Sequence, residues 1–340
     1  MQVKYSKKLD PRYTKPFKSE DLDVNNKKFN LLAKNINLLD SFPIKKCLIC
    51  DSKKLKDAFF SRNFMWSQCS KCNHLQKKQM PLYEDLLEFY NQETVENYLN
   101  EVNIDFRLKN LTIPKYKFII KNINKNINKN WLDLASGLGD MPYYLKKNKW
   151  KVTSTEIYNP FIEFAKDKLG VSHTNMLLDE YYEFHKKSSL QNFSVVGALG
   201  YFDILPDPLK HAKIINNLLV MGGTIAVNIP INDSVSGIMS EMFPDQSLRQ
   251  ITPMDYSVFS KESIFKMLQL SGFEITAVWY HGLDFYEIIT KLIQNKKNDV
   301  NDKKIDILLG LFNDFQKVID KNKMSDLLLI CGKKIKEIKF

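Results

Sequence analysis

The sequence has no run of about eighteen apolar residues, the minimum for a helix that crosses a bilayer. Its opening stretch, MQVKYSKKLDPRYTKPFKSE, is basic but lacks the apolar segment of a secretory leader, so the expectation is a cytoplasmic protein with no membrane insertion. Arginine is scarce, with four in the whole chain. The net charge of +11 comes instead from lysines scattered among asparagine and isoleucine, as in KYKFIIKNINKNINKN. Arginine is the better reader of bases and phosphates, so this pattern makes a nucleic-acid partner unlikely on composition, although positive charge attracts phosphate. No Gly-x4-Gly-Lys-Ser/Thr occurs, which excludes a P-loop. Cysteine is confined to five positions, four of them in one frame.

At 340 residues the chain exceeds a typical single domain of roughly 100–150 residues, so one large domain with an accessory module, or two domains, is expected. The frame is Cys47-x2-Cys50, then Cys69-x2-Cys72, while Cys331 stands alone. Two such knuckles present four thiolates tetrahedrally to one Zn2+, and the eighteen residues between them are long enough for a hairpin. Four cysteines leave no open coordination position, so the metal is expected to be structural. Iron held by the same thiolates is the alternative. His74 follows closely but is not needed as a ligand.

The stretch WLDLASGLGDMPYYLKK, residues 131–147, predicts a buried strand, a glycine turn and a helix. Gly137 and Gly139 permit positive φ and close approach of a ligand, with Asp140 as the expected N-cap and Pro142 in the first turn. A second strand within KVTSTEIYNP ends on Glu156, placed to accept both ribose hydroxyls. A dinucleotide fits poorly, because the third glycine of G-x-G-x-x-G is missing and Asp140 puts negative charge where a pyrophosphate would lie. A nucleoside without phosphates fits better.

These residues resemble motif I of the class I S-adenosylmethionine-dependent methyltransferases. There an acidic residue, here Asp133, precedes a three-glycine alternation, with Ala135 in place of the first glycine. FSVVGALGYFDILPDP is similar to that family's fourth strand and loop, IINNLLVMGGTIAVNIP to the next helix and fifth strand, and DLLLICGKK to the seventh. The cysteine segment and its continuation to YNQETVENYL resemble the zinc-binding module that precedes the methyltransferase domain in the sugar C-methyltransferase group and related surface-polysaccharide enzymes.

The resemblance implies an α/β, Rossmann-like fold with a seven-stranded, mostly parallel sheet, a small N-terminal zinc ribbon and a helical linker. The expected division is a basic segment at 1–40, the ribbon at 41–77, a helical connector at 78–125 and the methyltransferase domain at 126–340. It also implies S-adenosylmethionine as cofactor, beside structural Zn2+. Asp133, Ala135, Ser136, Gly137, Gly139 and Asp140 would hold its methionine end, and Glu156 and Ile157 its ribose. Asn175 and Met176, after a third strand near VSHTN, would flank the adenine. Gly197 and Leu199 belong to the floor under the sulfonium, which runs on to Tyr201.

In the sugar C-methyltransferases a tyrosine of the loop after strand four is followed three residues later by a histidine base. Here Tyr201 is followed by Ile204, which favours methylation of oxygen over carbon. Tyr201, Asp203 and His281 are the candidate catalytic residues, and His211 is expected at the surface or in packing. The expected acceptor is a small molecule or glycan, most simply a sugar. An RNA methyltransferase is the first alternative, though no Asn/Asp-Pro-Pro-Phe/Tyr follows strand four, and a non-catalytic cofactor-binding scaffold is the second. Two amphipathic helices before the last strand are expected to form a cover or a homodimer surface.

Overall fold

The computed structural model describes residues 1–11, 19–89, 99, 102–124, 128–247, 249–295 and 302–338. Parts of the expected basic segment (12–18), of the connector (90–98, 100–101, 125–127) and of the inserted helix pair (296–301) lie outside them. Among the described residues no helix is long and apolar enough to cross a membrane.

The chain opens on strand β1 (Gln2–Tyr5) and helix Ser19–Ile36. Five short strands follow: β2 (Ser41–Pro43), β3 (Leu55–Ser61), β4 (Phe64–Cys69), β5 (Leu75–Lys77) and β6 (Gln79–Pro81). Helix Tyr83–Phe89 and a helical stretch over 104–121 lead into the α/β body. The body's strands are β7 (Asn130–Leu134), β8 (Lys151–Ser154), β9 (Phe193–Leu199), β10 (Leu219–Pro230), the short β11 (Ser257–Val258), β12 (Phe273–His281) and β13 (Leu327–Lys334).

Seven strands form one sheet in the order β1-β12-β13-β10-β9-β7-β8. All neighbours run parallel except β13, which is antiparallel to both β10 and β12. The fold class is therefore the expected one, α/β and Rossmann-like with a mostly parallel sheet. Its edges differ in detail from the expectation. The third strand near VSHTN is a single bridge, Thr155 to Thr174, because only residues 171–177 separate the C-cap of one helix, Gly170, from the start of the next at Leu178. The seventh strand comes from the other edge, where β1 lies parallel to β12 with Lys4 opposite Trp279 and Tyr5 opposite Tyr280.

Helices cover both faces, and each face buries its own apolar layer. Leu132, Val196, Val227, Val278 and Ile330 lie in one layer, and Trp131, Val195, Ala226, Trp279 and Leu329 in the other, as alternation along a strand requires. The ribbon sheet has the order β11-β5-β4-β3, so its last strand is donated by the α/β body. Further bonds tie the two together: Ser260 Oγ donates to the Cys72 carbonyl at 2.7 Å, and the buried His74 packs edge-on to Phe259.

The stretch over 104–121 carries a π-helical turn, Leu108–Thr112. In a regular α-helix residues five apart sit about 140° around the axis from one another, whereas i to i+5 bonding brings them to one side. Arg107 and Thr112 consequently reach the same carboxylate, that of Asp140 at the start of helix Asp140–Lys147. Arg107 Nη2 lies 3.1 Å away, and the Thr112 hydroxyl donates to the other oxygen. Gly139, at φ 78°, takes the N-cap position expected of Asp140, which is the first helical residue instead. Asp140→Asn is expected to lower unfolding free energy in a urea titration by roughly 2 kcal/mol, since it strips a partly buried cation of its countercharge. An unchanged midpoint would mean that the latch contributes nothing.

Candidate functional site

The glycine turn leaves the C-terminal end of β7 with three residues in the left-handed region: Ala135 at φ 45°, Gly137 at 57° and Gly139 at 78°. The alanine that replaces a glycine thus keeps the glycine's conformation, at a cost on the order of 1 kcal/mol. A side chain on Gly139 would be strained at φ 78° and would press on Ala165 at 3.0 Å and His173 at 3.2 Å.

Asp133 is buried beneath this turn. Ser136 Oγ donates to its carboxylate at 2.5 Å and Trp131 Nε1 at 3.4 Å. Burial nonetheless pushes the carboxyl up to about 7, opposed by those hydrogen bonds and aided by the nearby charge of Asp140. Gly197 on β9 stands opposite Asp133, and a Cβ on it would meet Asp133 Oδ1 at 2.6 Å. The expected role of Gly197 as an open floor is therefore a clearance for Asp133. Glu156, at the end of β8, is also buried. It accepts from Gly137 N at 2.7 Å through one oxygen and from Ile157 N and Tyr158 N through the other, which fixes the turn and aims the carboxylate along it.

A cavity of about 190 Å3 opens beside Glu156. Of the expected cofactor residues, Ala135, Gly137, Glu156, Ile157 and Met176 line it. Asp133, Ser136, Gly139, Asp140 and Gly197 lie behind or beneath the turn, outside that lining. Asn175 is outside too and faces Asn159, and Leu199 packs on the Trp131 face of the sheet. The walls missed by sequence reasoning are Tyr83 and Leu87 from the helix after the ribbon, Tyr158 and Phe161 from the helix after β8, and His211.

Tyr201 and His211 meet in this wall, with Tyr201 Oη 2.6 Å from His211 Nδ1. Asp179 Oδ2 lies 3.6 Å from Nε2 and favours the proton there, which leaves Nδ1 to accept from the tyrosine. Burial holds His211 down at about 4, against the pull of Asp179, and raises Tyr201 well above its ordinary value, so both are neutral near pH 7. His211, expected at the surface or in packing, is thus buried in the cavity wall as Tyr201's partner. No spacing announced it, because the two residues sit on a loop and the helix after it.

The other two catalytic candidates are elsewhere. Asp203 has a buried, unpartnered Oδ1 and lies near Asp255 and the buried Lys77, at the seam with the ribbon. His281 ends β12, with its ring 4.7 Å from Trp279, outside the cavity lining.

The four frame cysteines converge in the ribbon. Cys47 Sγ is 3.5 Å from Cys72 Sγ, Cys50 is 3.5 Å from Cys72 and 3.6 Å from Cys69, and all four sulfurs lie within 4.8 Å of one another. Four thiolates about 2.3 Å from a tetrahedral Zn2+ would stand about 3.8 Å apart, so the set fits that ion. Backbone amides of Ile49 and Lys71 point at the sulfurs of Cys47 and Cys69, which favours the ionised thiolates. His74 is not among this group.

The sheet, the glycine turn and the acid after the second body strand settle the architecture. The fold is α/β and Rossmann-like. No protein-family model matches the chain, and no curated protein matches it. Solved structures with a similar fold include an S-adenosylmethionine-dependent methyltransferase of Thermotoga maritima, described as a possible histamine N-methyltransferase. It is 16% identical, covers 74% of this chain and 99% of its own, and has a TM-score of 0.45. A second such methyltransferase, from Archaeoglobus fulgidus, is 16% identical over 74% of this chain and 100% of its own, with a TM-score of 0.43. The plantazolicin methyltransferase BamL, solved with S-adenosylhomocysteine, is 14% identical over 74% and 91%, with a TM-score of 0.40. At such values, what these proteins bind says nothing about this chain, and its function rests on its own cavity.

Two outcomes check the geometry. Gly197→Ala is expected to displace Asp133 and lower unfolding free energy in a urea titration by about 1–3 kcal/mol, while an unchanged midpoint would show that Asp133 yields the space freely. Stripping metal with a chelator is expected to lower the thermal midpoint of a single cooperative transition, because the ribbon shares a sheet with the body. Two resolved transitions would show that the ribbon melts alone.

Proposed function

We propose that the chain is an S-adenosylmethionine-dependent methyltransferase with a small-molecule acceptor, a sugar that is nucleotide-linked or part of a surface glycan, methylated on oxygen. The observation that carries the cofactor is the charge around the turn. Asp133 and Glu156 place two carboxylates about the glycine loop, Glu156 in the cavity wall, while the charge of Asp140 is met by Arg107. A pyrophosphate would be repelled there, whereas a nucleoside bearing a sulfonium and an ammonium is attracted. Ala135, Gly137, Ile157 and Met176 supply small and apolar walls for the nucleoside, and Glu156 the acceptors for its ribose.

When bound, the cofactor supplies a methyl group already activated by positive sulfur, so the protein's work is positioning, exclusion of water and removal of one proton. Tyr201 and His211 suit the last task. The acceptor hydroxyl's proton passes to the phenolic oxygen as the tyrosine's own proton moves to His211 Nδ1, and Asp179 beside Nε2 supports the imidazolium so formed. Ile204 also lines the cavity, where the carbon-methylating relatives carry their base, which supports oxygen as the site of methylation. The sugar class rests on the ribbon and connector, whose order along the chain resembles that of the sugar methyltransferases. Tyr83 and Leu87 bring the connector into the cavity wall. The cysteine cluster would hold structural Zn2+.

Label from methyl-tritiated S-adenosylmethionine is expected in nucleotide-sugar or surface-glycan fractions. Label in RNA would overturn the sugar reading, and cofactor binding without any transfer would favour a scaffold.

The Asp133 carboxyl, at about 7 in the free protein, must be ionised to attract the cationic cofactor. Affinity for S-adenosylmethionine is therefore expected to be flat above pH 7 and to fall up to tenfold per unit below it, one proton being displaced on binding. Calorimetry across roughly pH 5.5–8.5 checks this, and Asp133→Asn should abolish the slope. A slope that survives in Asp133→Asn would assign it to another group.

A further inference from the structure

On the Trp131 face of the sheet, across from the cavity wall of Tyr201, the C-terminal edge carries polar groups that the proposed reaction does not use. Alternation places them. Asn228 is two residues beyond Ala226 and His281 two beyond Trp279, and both Ala226 and Trp279 belong to the apolar layer of that face. The registers put Leu199, Asn228, Leu329, Trp279 and Lys4 in one row across five strands, with His281 one step above it. Asn228 and His281 are 7% and 6% exposed, and neither Asn228 Oδ1 nor His281 Nε2 has a hydrogen-bond partner; with its amide turned, Asn228 presents Nδ2, and His281 in its Nε2–H form presents that proton, so both can donate there. A buried polar atom without a partner costs on the order of 1–3 kcal/mol, so two in adjacent rows describe a place built for something polar.

The charges say what kind. His281 lies in the field of Lys7, Lys115, Lys4 and Arg249, all cations. Arg249 is neutralised by Asp326 at 2.5 Å. Lys4 sits 3.4 Å over the Trp279 ring. Lys7 and Lys115 form no ion pair among the described residues, and they come from different elements, the segment after β1 and helix Ile113–Lys121. Burial, and mutual repulsion in the case of Lys7, lower them to about 7 and about 8. Lys115 also feels the charge of Asp133 and Asp140, which puts it on the side of the cluster nearest the glycine turn.

We propose that this cluster of Lys7, Lys115, Asn228 and His281 binds an oxyanion of the acceptor, a phosphate or a carboxylate. The inference rests on the methyltransferase reading and narrows it: the substrate is an anion gripped at some distance from the hydroxyl that is methylated. The same chemistry could come from the carboxylate of the cofactor's own methionine, and the experiment separates the two.

Inorganic pyrophosphate is titrated into the full chain with and without S-adenosylhomocysteine, and tryptophan fluorescence is read against Trp279→Phe, since Trp279 touches both Lys4 and His281. The expected result is saturable binding in both conditions, with a signal lost in Trp279→Phe. Lys7→Gln, and as a second variant His281→Gln, should each weaken pyrophosphate about tenfold while calorimetric affinity for S-adenosylhomocysteine is kept. Absence of pyrophosphate binding by a chain that binds S-adenosylhomocysteine would overturn the proposal and leave the methyltransferase reading standing. Loss of S-adenosylhomocysteine affinity in both variants, with 5′-methylthioadenosine bound normally, would also overturn it by assigning the cluster to the cofactor carboxylate. Pyrophosphate binding by a chain that binds no S-adenosylhomocysteine would support the anion site and refute the cofactor reading.

Discussion

A carboxylate buried near the C-terminal end of β7 organises this molecule. Asp133 has Ser136 and Trp131 as donors and a glycine opposite, because nothing larger than hydrogen fits there. Its burial is costly, and it requires both donors for the carboxylate and clear space around it. The surrounding features serve that requirement. The turn is wound left-handed so that backbone clears the site, Glu156 ties the turn down from the next strand, and Asp140 is drawn aside by Arg107 and Thr112. The π-helical turn is the device that lets one helix present both of those partners to one side.

The ribbon is a second instance of shared structure. By pairing β5 with β11 and bonding Ser260 to the carbonyl of Cys72, it becomes an extension of the body. Lys77, Asp255 and Asp203 are buried at that seam, with Lys77 donating to the Pro253 carbonyl. The cysteine cluster, some way from the cavity, is thereby tied to the loop that carries Tyr201, whose neighbour Asp203 accepts a hydrogen bond from Tyr256 of the same seam. Cysteine cluster and candidate catalytic loop are connected by few residues.

Local features were legible in the sequence. The strand, glycine turn and helix at 130–147, the acid at Glu156 and the cysteine frame all depend on short spacings, and the fold class comes from their order. What could not be read was long-range. β1 pairs with a strand some 275 residues away, and no periodicity in four exposed residues signals a partner. His211 looked like an ordinary helical histidine because its meaning comes from Tyr201, brought to 2.6 Å by the loop between them. His281 was noticed by position, but its surroundings, lysines from β1's end and from helix Ile113–Lys121, are visible only once the sheet is assembled. Asp140 was read as a cap for the same reason, since Arg107 and Thr112 lie a helix away.

The pairing of β1 with β12 also orders events in time. During synthesis β1 emerges well before its partner strand, which ends at His281 and is itself held in place by β13, ending at Lys334. The glycine turn, Glu156 and the Tyr201 loop can assemble from β7, β8 and β9 while the chain is still growing. Lys7 cannot meet His281 on a finished sheet until β13 has left the ribosome, and closing so long a loop adds entropy that only the finished sheet offsets. The glycine turn is thus an early product of folding, and the meeting of Lys7 with His281 a late one.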